Sequence, residues 1–156
     1  MLSLAVMFCA ATFAVTPAVA QVQALQIKGS IDATEDHTVT PPTMKVALEG
    51  TGHATLLGLY VLTVAEKVFL PTLASTGTFE IDTGGGATLF GTVAGQGTII
   101  SGGTEASITE VYTVAGGTGR FKGAAGAITV QRIVNRSTLN SSGTMEGNVS
   151  LPDPRP

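Results

Sequence analysis

The chain has 156 residues and a formal net charge of -3, with 8 Lys+Arg set against 11 Asp+Glu. That length suits one domain, and the lack of a basic excess argues against nucleic acid as a partner. Only 12% of residues are charged and Trp is absent, while 20 glycines and frequent Thr and Val fall in short runs, a balance that favours strands over long helices.

The first predicted element is a leader. "MLSLAVMFCAATFAVTPAVA" carries no charged side chain. Leu2–Val15 is an apolar run of signal-peptide length, Thr16-Pro17 breaks it, and Ala18-Val19-Ala20 is a small-x-small cleavage site. A membrane anchor is the competing reading, but the run is short for a bilayer and lacks a basic stop-transfer flank. A lipoprotein role for Cys9 is set aside, because bulky Phe8 precedes it. Residues 1–20 are therefore read as a signal peptide and 21–156 as one β-domain. Cleavage after Ala20 leaves no cysteine, which excludes a disulfide, a thiolate nucleophile and a cysteine metal site.

Alternation of apolar and polar residues then marks strands in order. In "LQIKGSID", Leu25, Ile27 and Ile31 oppose Gln26, Lys28, Ser30 and Asp32. In "MKVALEG", Met44, Val46 and Leu48 oppose Lys45 and Glu49. "HATLLGLYVLTV" reads as one strand apolar on both faces, with Leu56, Tyr60, Leu62 and Val64 on one and Leu57, Leu59 and Val61 on the other. "TFEID", "ATLFGTVAG", "EASITEVYTVA", "GAITVQRIVN" and "TMEGNVSL" complete roughly eight strands at the spacing of sandwiches and barrels. Between them, Glu35–Thr43 reads as a Pro-Pro connection and Leu70–Gly77 as a long loop. Gly84–Gly86, Ser101–Gly103 and Asn140–Gly143 read as hairpin turns, and three prolines stop the tail "LPDPRP" from extending a sheet.

The stretch Val111–Gln131, "VYTVAGGTGRFKGAAGAITVQ", holds five glycines between two β-prone runs. It is not a dinucleotide fingerprint. After Gly117 and Gly119 the next glycine, Gly123, comes one residue late, and the segment runs into a strand pattern with no helix N-terminus to receive phosphate. It reads as a turn and barrel corner, with Phe121 inward and Arg120 and Lys122 towards water. These residues resemble the strand–glycine turn–strand unit of the allene oxide cyclase and dirigent barrel families. "GTGHATLLGLYVLT" and "GTMEGNVS" resemble pieces of small secreted bacterial proteins of the same pattern. The resemblance implies an all-β, eight-stranded antiparallel barrel (calycin-like, allene oxide cyclase-like), dimeric or trimeric, with an apolar lumen. Glu110 and Tyr112 stand near a Glu and a Tyr of those cyclases, offset by a residue, so the turn carries over the scaffold and not the activity.

Two carboxylates break the wet-face pattern of the other acids. Glu66 continues the Leu56–Val64 face, and Glu110 shares a face with Ile108, Tyr112 and Val114. A carboxylate facing a lumen has a raised pKa and can act as acid or base, so Glu66, Glu110 and Tyr112 are the candidate catalytic residues. Leu56, Tyr60 and Leu62 are the candidate ligand-binding residues. His37 is read as a solvated-loop histidine and His53 as a strand start, and no metal or cofactor is expected. The function expected is a secreted or periplasmic, non-enzymatic barrel that binds a small apolar molecule or serves as a stable extracellular module. The alternative is a cyclase or isomerase acting on a lipid-like substrate in the lumen. A homo-oligomer is expected, without nucleic acid or a stable membrane span.

Overall fold

The computed structural model describes residues 23–152. The leader, its Ala20 cleavage site, Cys9, Pro154 and Pro156 lie outside the described residues.

Eight antiparallel strands close into a barrel: β1 (Gln23–Thr40), β2 (Thr43–Ala54), β3 (Gly58–Phe69), β4 (Ala74–Asp82), β5 (Thr88–Ile100), β6 (Glu105–Gly117), β7 (Ala125–Asn135) and β8 (Asn140–Leu151). Each pairs with the next in sequence. β1 closes the ring by pairing with β8 from Gln23↔Leu151 to Thr34↔Asn140 and with β2 from Gly29↔Ala54 to Thr40↔Thr43. Closure gives each of the eight strands a neighbour on both sides. The eight-stranded antiparallel barrel expected from the alternating runs is the observed fold.

Strand alternation sorts side chains into lumen and outer wall. Ile27, Ile31, Leu62, Ile81, Leu89, Ile128, Met145 and Val149 fill one half of the lumen and are fully buried. The turns at that end close it with Leu57, Ala87, Phe121 and Ala124. Phe79 stacks on Tyr112 at mid-barrel, their ring centroids 4.9 Å apart. Beyond that pair lies a layer of charged side chains, and above it the lumen opens between apolar walls.

The Gly116–Gly126 corner behaves as its composition suggests. Gly119 sits at φ +56, where a Cβ would lie 3.0 Å from the Gly86 carbonyl oxygen, and Phe121 is completely buried. Arg120 differs from expectation. It is exposed, yet its Nη2 donates to the Leu57 carbonyl at 3.0 Å and to Thr83 Oγ1 at 3.3 Å, tying three turns together.

Four boundaries move. "HATLLGLYVLTV" is not one strand: β2 ends at Ala54, the chain turns at Thr55–Leu57 with Leu56 at φ +67, and β3 begins at Gly58. The turn swings Leu57 into the core and leaves Leu59 and Val61 on the outer wall, 78% and 51% exposed. Glu35–Thr40 is strand, so the Pro-Pro connection shrinks to Pro41-Pro42. The long loop shrinks to residues 70–73, and Asn140–Gly143 belongs to β8, the real turn being residues 136–139.

Candidate functional site

The open half of the lumen holds a cavity of about 350 Å³, within the range of roughly 300–1,000 Å³ common for small-molecule pockets. Its walls are apolar: Val39, Met44, Val46, Val68, Ile99, Ala106, Ile108 and Val134. Leu73 and Leu139 stand at the mouth in the left-handed region, at φ +58 and +57, a conformation that is uncommon for leucine and costs on the order of 1 kcal/mol each. Backbone bonds from Gly97 N to Leu73 O and from Glu35 N to Leu139 O, both 2.9 Å, hold the two turns in place.

The floor is charged. Inward positions of β1 supply Glu35 and His37, β3 supplies Glu66, β4 supplies Ser75 and β7 supplies Arg132. Arg132 is buried, and its Nη2 and Nε donate to Oε1 and Oε2 of Glu110 at 2.7 and 3.2 Å. Its Nη1 donates to Glu35 Oε1 and to Ser141 Oγ. His37 Nε2 is 2.7 Å from Glu35 Oε2, and Tyr112 Oη donates to Glu110 Oε2 at 2.9 Å. Gly95 faces Glu110 across β5 and β6; a Cβ there would lie 2.6 Å from Ser75 Oγ and 2.9 Å from Glu110 Cγ. Glycine at this position lets the two polar side chains approach the wall.

Glu66 stands apart. It is 92% buried, being 8% exposed, and its Oε1 is the only buried side-chain polar atom without a hydrogen-bond partner among the described residues. Burial, and next the neighbouring Glu110 charge, push its pKa up to about 7, while Ser75 and Arg132 pull the other way. Burial and then Glu110 also raise the Tyr112 phenol well above its ordinary value. For Arg132, burial alone would lower the pKa, but the hydrogen bonds and charges of Glu110 and Glu35 outweigh it and hold the guanidinium charged.

Glu66, Glu110 and Tyr112, singled out in the sequence, thus meet in one cluster. Only Glu66 lines the cavity; Glu110 and Tyr112 are wholly buried beneath Arg132. Leu56, Tyr60 and Leu62 do not join them. Leu56 lies in a turn, Leu62 is packed in the filled half, and the Tyr60 hydroxyl donates to the Ser30 carbonyl at 2.7 Å. Burial and then Asp32 raise the Tyr60 phenol as well. Sequence reading missed Arg132, Glu35 and His37. His37 is no solvated-loop residue: it is an inward position of β1, part-buried against Glu35. Parity carries the signal for Arg132, which shares a face with Ile128, Val130 and Val134; Glu35 shares one with Ile27, Ile31 and Ala33 only because β1 runs on through it.

A larger, shallower trough of about 690 Å³ runs over the outer wall past Asp32, Glu49, Glu105 and Asn140. None of its polar atoms is both buried and unpaired, so the lumen is the better candidate. Among the described residues no group of three metal-ligating side chains has metal-site geometry, and no helix is long and apolar enough to cross a membrane.

No family model matches the chain, and no curated protein is similar in sequence. Among solved structures, the pterocarpan synthase dirigent protein GePTS1 is similar, with a TM-score of 0.59 and 13% identity over 91% of this chain and 98% of that one. At that identity the likeness is one of fold, and the barrel described here is a dirigent-like barrel.

Proposed function

We propose that this protein is a secreted or periplasmic barrel that binds a small, largely apolar molecule in the open half of its lumen, without itself catalysing a reaction. The observation that carries the reading is the apolar-walled cavity above a floor whose one unpartnered buried polar atom is Glu66 Oε1. A filled barrel would have served a purely structural module; here half of the lumen is left open. The kinship implied by the glycine turn, a small bacterial-type member of the allene oxide cyclase and dirigent superfamily, is part of the same proposal, and the dirigent-like fold supports it.

Titration of methyl-labelled protein with 2-naphthalenemethanol, followed by NMR, tests the reading. Saturable shifts are expected at Val46, Val68, Ile108 and Val134, with Leu62, Ile81 and Ile128 unmoved. Shifts confined to the outer wall, or none at millimolar probe, would remove the lumen as a binding site.

One observation favours a second reading, a cyclase or isomerase acting on a lipid-like substrate. A carboxyl with a pKa near 7 in an apolar cavity is poised for proton transfer. Under that reading Glu66→Gln abolishes turnover and keeps substrate binding, whereas binding without turnover in the natural protein leaves the first reading standing.

A further inference from the structure

We infer that the lumen is selective for an apolar molecule carrying a protonated amine, with the ammonium seated on Glu66. This rests on the lumen being a binding site and adds the chemistry of what it takes.

The argument is a charge count on a buried floor. Three carboxylates, Glu35, Glu66 and Glu110, surround one buried guanidinium. Arg132 directs its nitrogens to Glu110, Glu35 and Ser141 and none to Glu66. Among the described residues no cation lies within ion-pair distance of Glu66. The remaining charged or titratable groups facing the cavity are His37, which is paired with Glu35, and Arg136, which sits exposed at the rim and donates to the Gly103 carbonyl. Glu66 is therefore the one buried carboxylate without a counter-charge.

A buried carboxylate with an unpaired oxygen is costly unless something completes it. A carboxylate-bearing ligand would add a fourth negative charge, and an aliphatic ligand would leave Oε1 orphaned. An ammonium supplies both the missing charge and the missing donor, while its apolar body fits the Val46, Val68, Ile108 and Val134 walls. The nearby Ser75 hydroxyl gives such a head group a second polar neighbour.

Three probes with one skeleton test this by calorimetry: 2-naphthalenemethylamine, 2-naphthalenemethanol and 2-naphthoate. At about pH 8 the amine is expected to bind roughly tenfold or more tighter than the alcohol, and the carboxylate weakest, because a hydrogen bond to a charged partner gains most. The amine stays protonated down to about pH 5.5, so a loss of its advantage at that pH reports Glu66. In Glu66→Gln the preference and its pH dependence should both vanish while alcohol affinity holds, and Glu80→Gln on the outer wall should change nothing. An alcohol that binds as well as the amine, a carboxylate that binds best, or an amine preference surviving in Glu66→Gln would overturn the inference and leave the lumen as a binding site. Binding of none of the three would remove both.

Discussion

Arg132 on β7 reaches diagonally across the ladder to Glu110 on β6 and holds both of its carboxylate oxygens, at 2.7 and 3.2 Å. Glu110 pairs in register with Val130, and Arg132 with Ile108, so the two side chains share the lumen face one pleat apart. A two-pronged bond of this kind fixes orientation as well as charge. Its third nitrogen, Nη1, turns to Glu35 and so joins β1 to the same network.

Arg132→Met should therefore be strongly destabilising. It leaves two buried carboxylates without their cation, a loss of about 3–5 kcal/mol for a broken buried pair. Urea denaturation of the single variant beside Arg132→Met/Glu110→Gln checks the cause. The double variant should recover part of the loss, and a single-variant loss below about 1 kcal/mol would mean that water already screens the floor.

Glu66→Gln should act in the opposite direction. The folded-state pKa of Glu66 is about 7, raised from 4.5. Between those values the folded protein holds a proton that the unfolded chain has released. Stability is then greatest below the unfolded value, falls as pH rises through the interval, and stays low above about 7. The full shift corresponds to about 3 kcal/mol. Glu66→Gln removes this cost, so thermal melting at about pH 8 should show a more stable variant, with the difference shrinking towards about pH 4.5. A gap independent of pH would show that Glu66 is not the group responsible.

At the glycine corner, Gly119→Val should cost about 1–3 kcal/mol, because a β-branched residue is strained at positive φ. The approach to the Gly86 carbonyl adds to the loss. Lys122→Ala should be near neutral. Arg120→Ala should cost about 1 kcal/mol, the value of a typical net hydrogen bond, because Arg120 bonds Leu57 O and Thr83 Oγ1. Equal, negligible effects at Arg120 and Lys122 would show that those bonds do not persist in solution.

The outer wall bears on assembly. Leu59 and Val61 point outward from β3 and are mostly exposed, so a dimer or trimer that covers them is the expectation for the free protein. Sedimentation equilibrium at micromolar concentration should show it, and Leu59→Glu should shift it to monomer. A natural protein that sediments as a strict monomer ends that expectation.

Export is read from the leader alone. Protein recovered from outside the producing cytoplasm should begin at Gln21. Recovery of the chain from a membrane fraction with Met1 retained would favour the anchor reading instead.

What the sequence determined by itself was the period. Two-residue alternation, with glycine and proline at the breaks, specifies strands and their wet and dry faces. Eight such runs are enough for a closed barrel. Parity also placed Glu66 and Glu110 on the dry face, because their neighbours on that face are apolar. The same signal failed at Glu35 and His37. A strand whose inward residues are charged has no hydrophobic period, so "EDHTVTPPT" reads as a connection. Leu56 and Leu57 failed for a different reason: a two-faced apolar run cannot show where a tight turn divides it. Only the tertiary structure decided which half of the lumen is filled and which is open. Ring closure brings Glu35, Glu66, Glu110 and Arg132 together from strands up to 97 residues apart in sequence. Whether a buried carboxylate finds a cation depends on that three-dimensional encounter, and for Glu66 the barrel supplies none among the described residues.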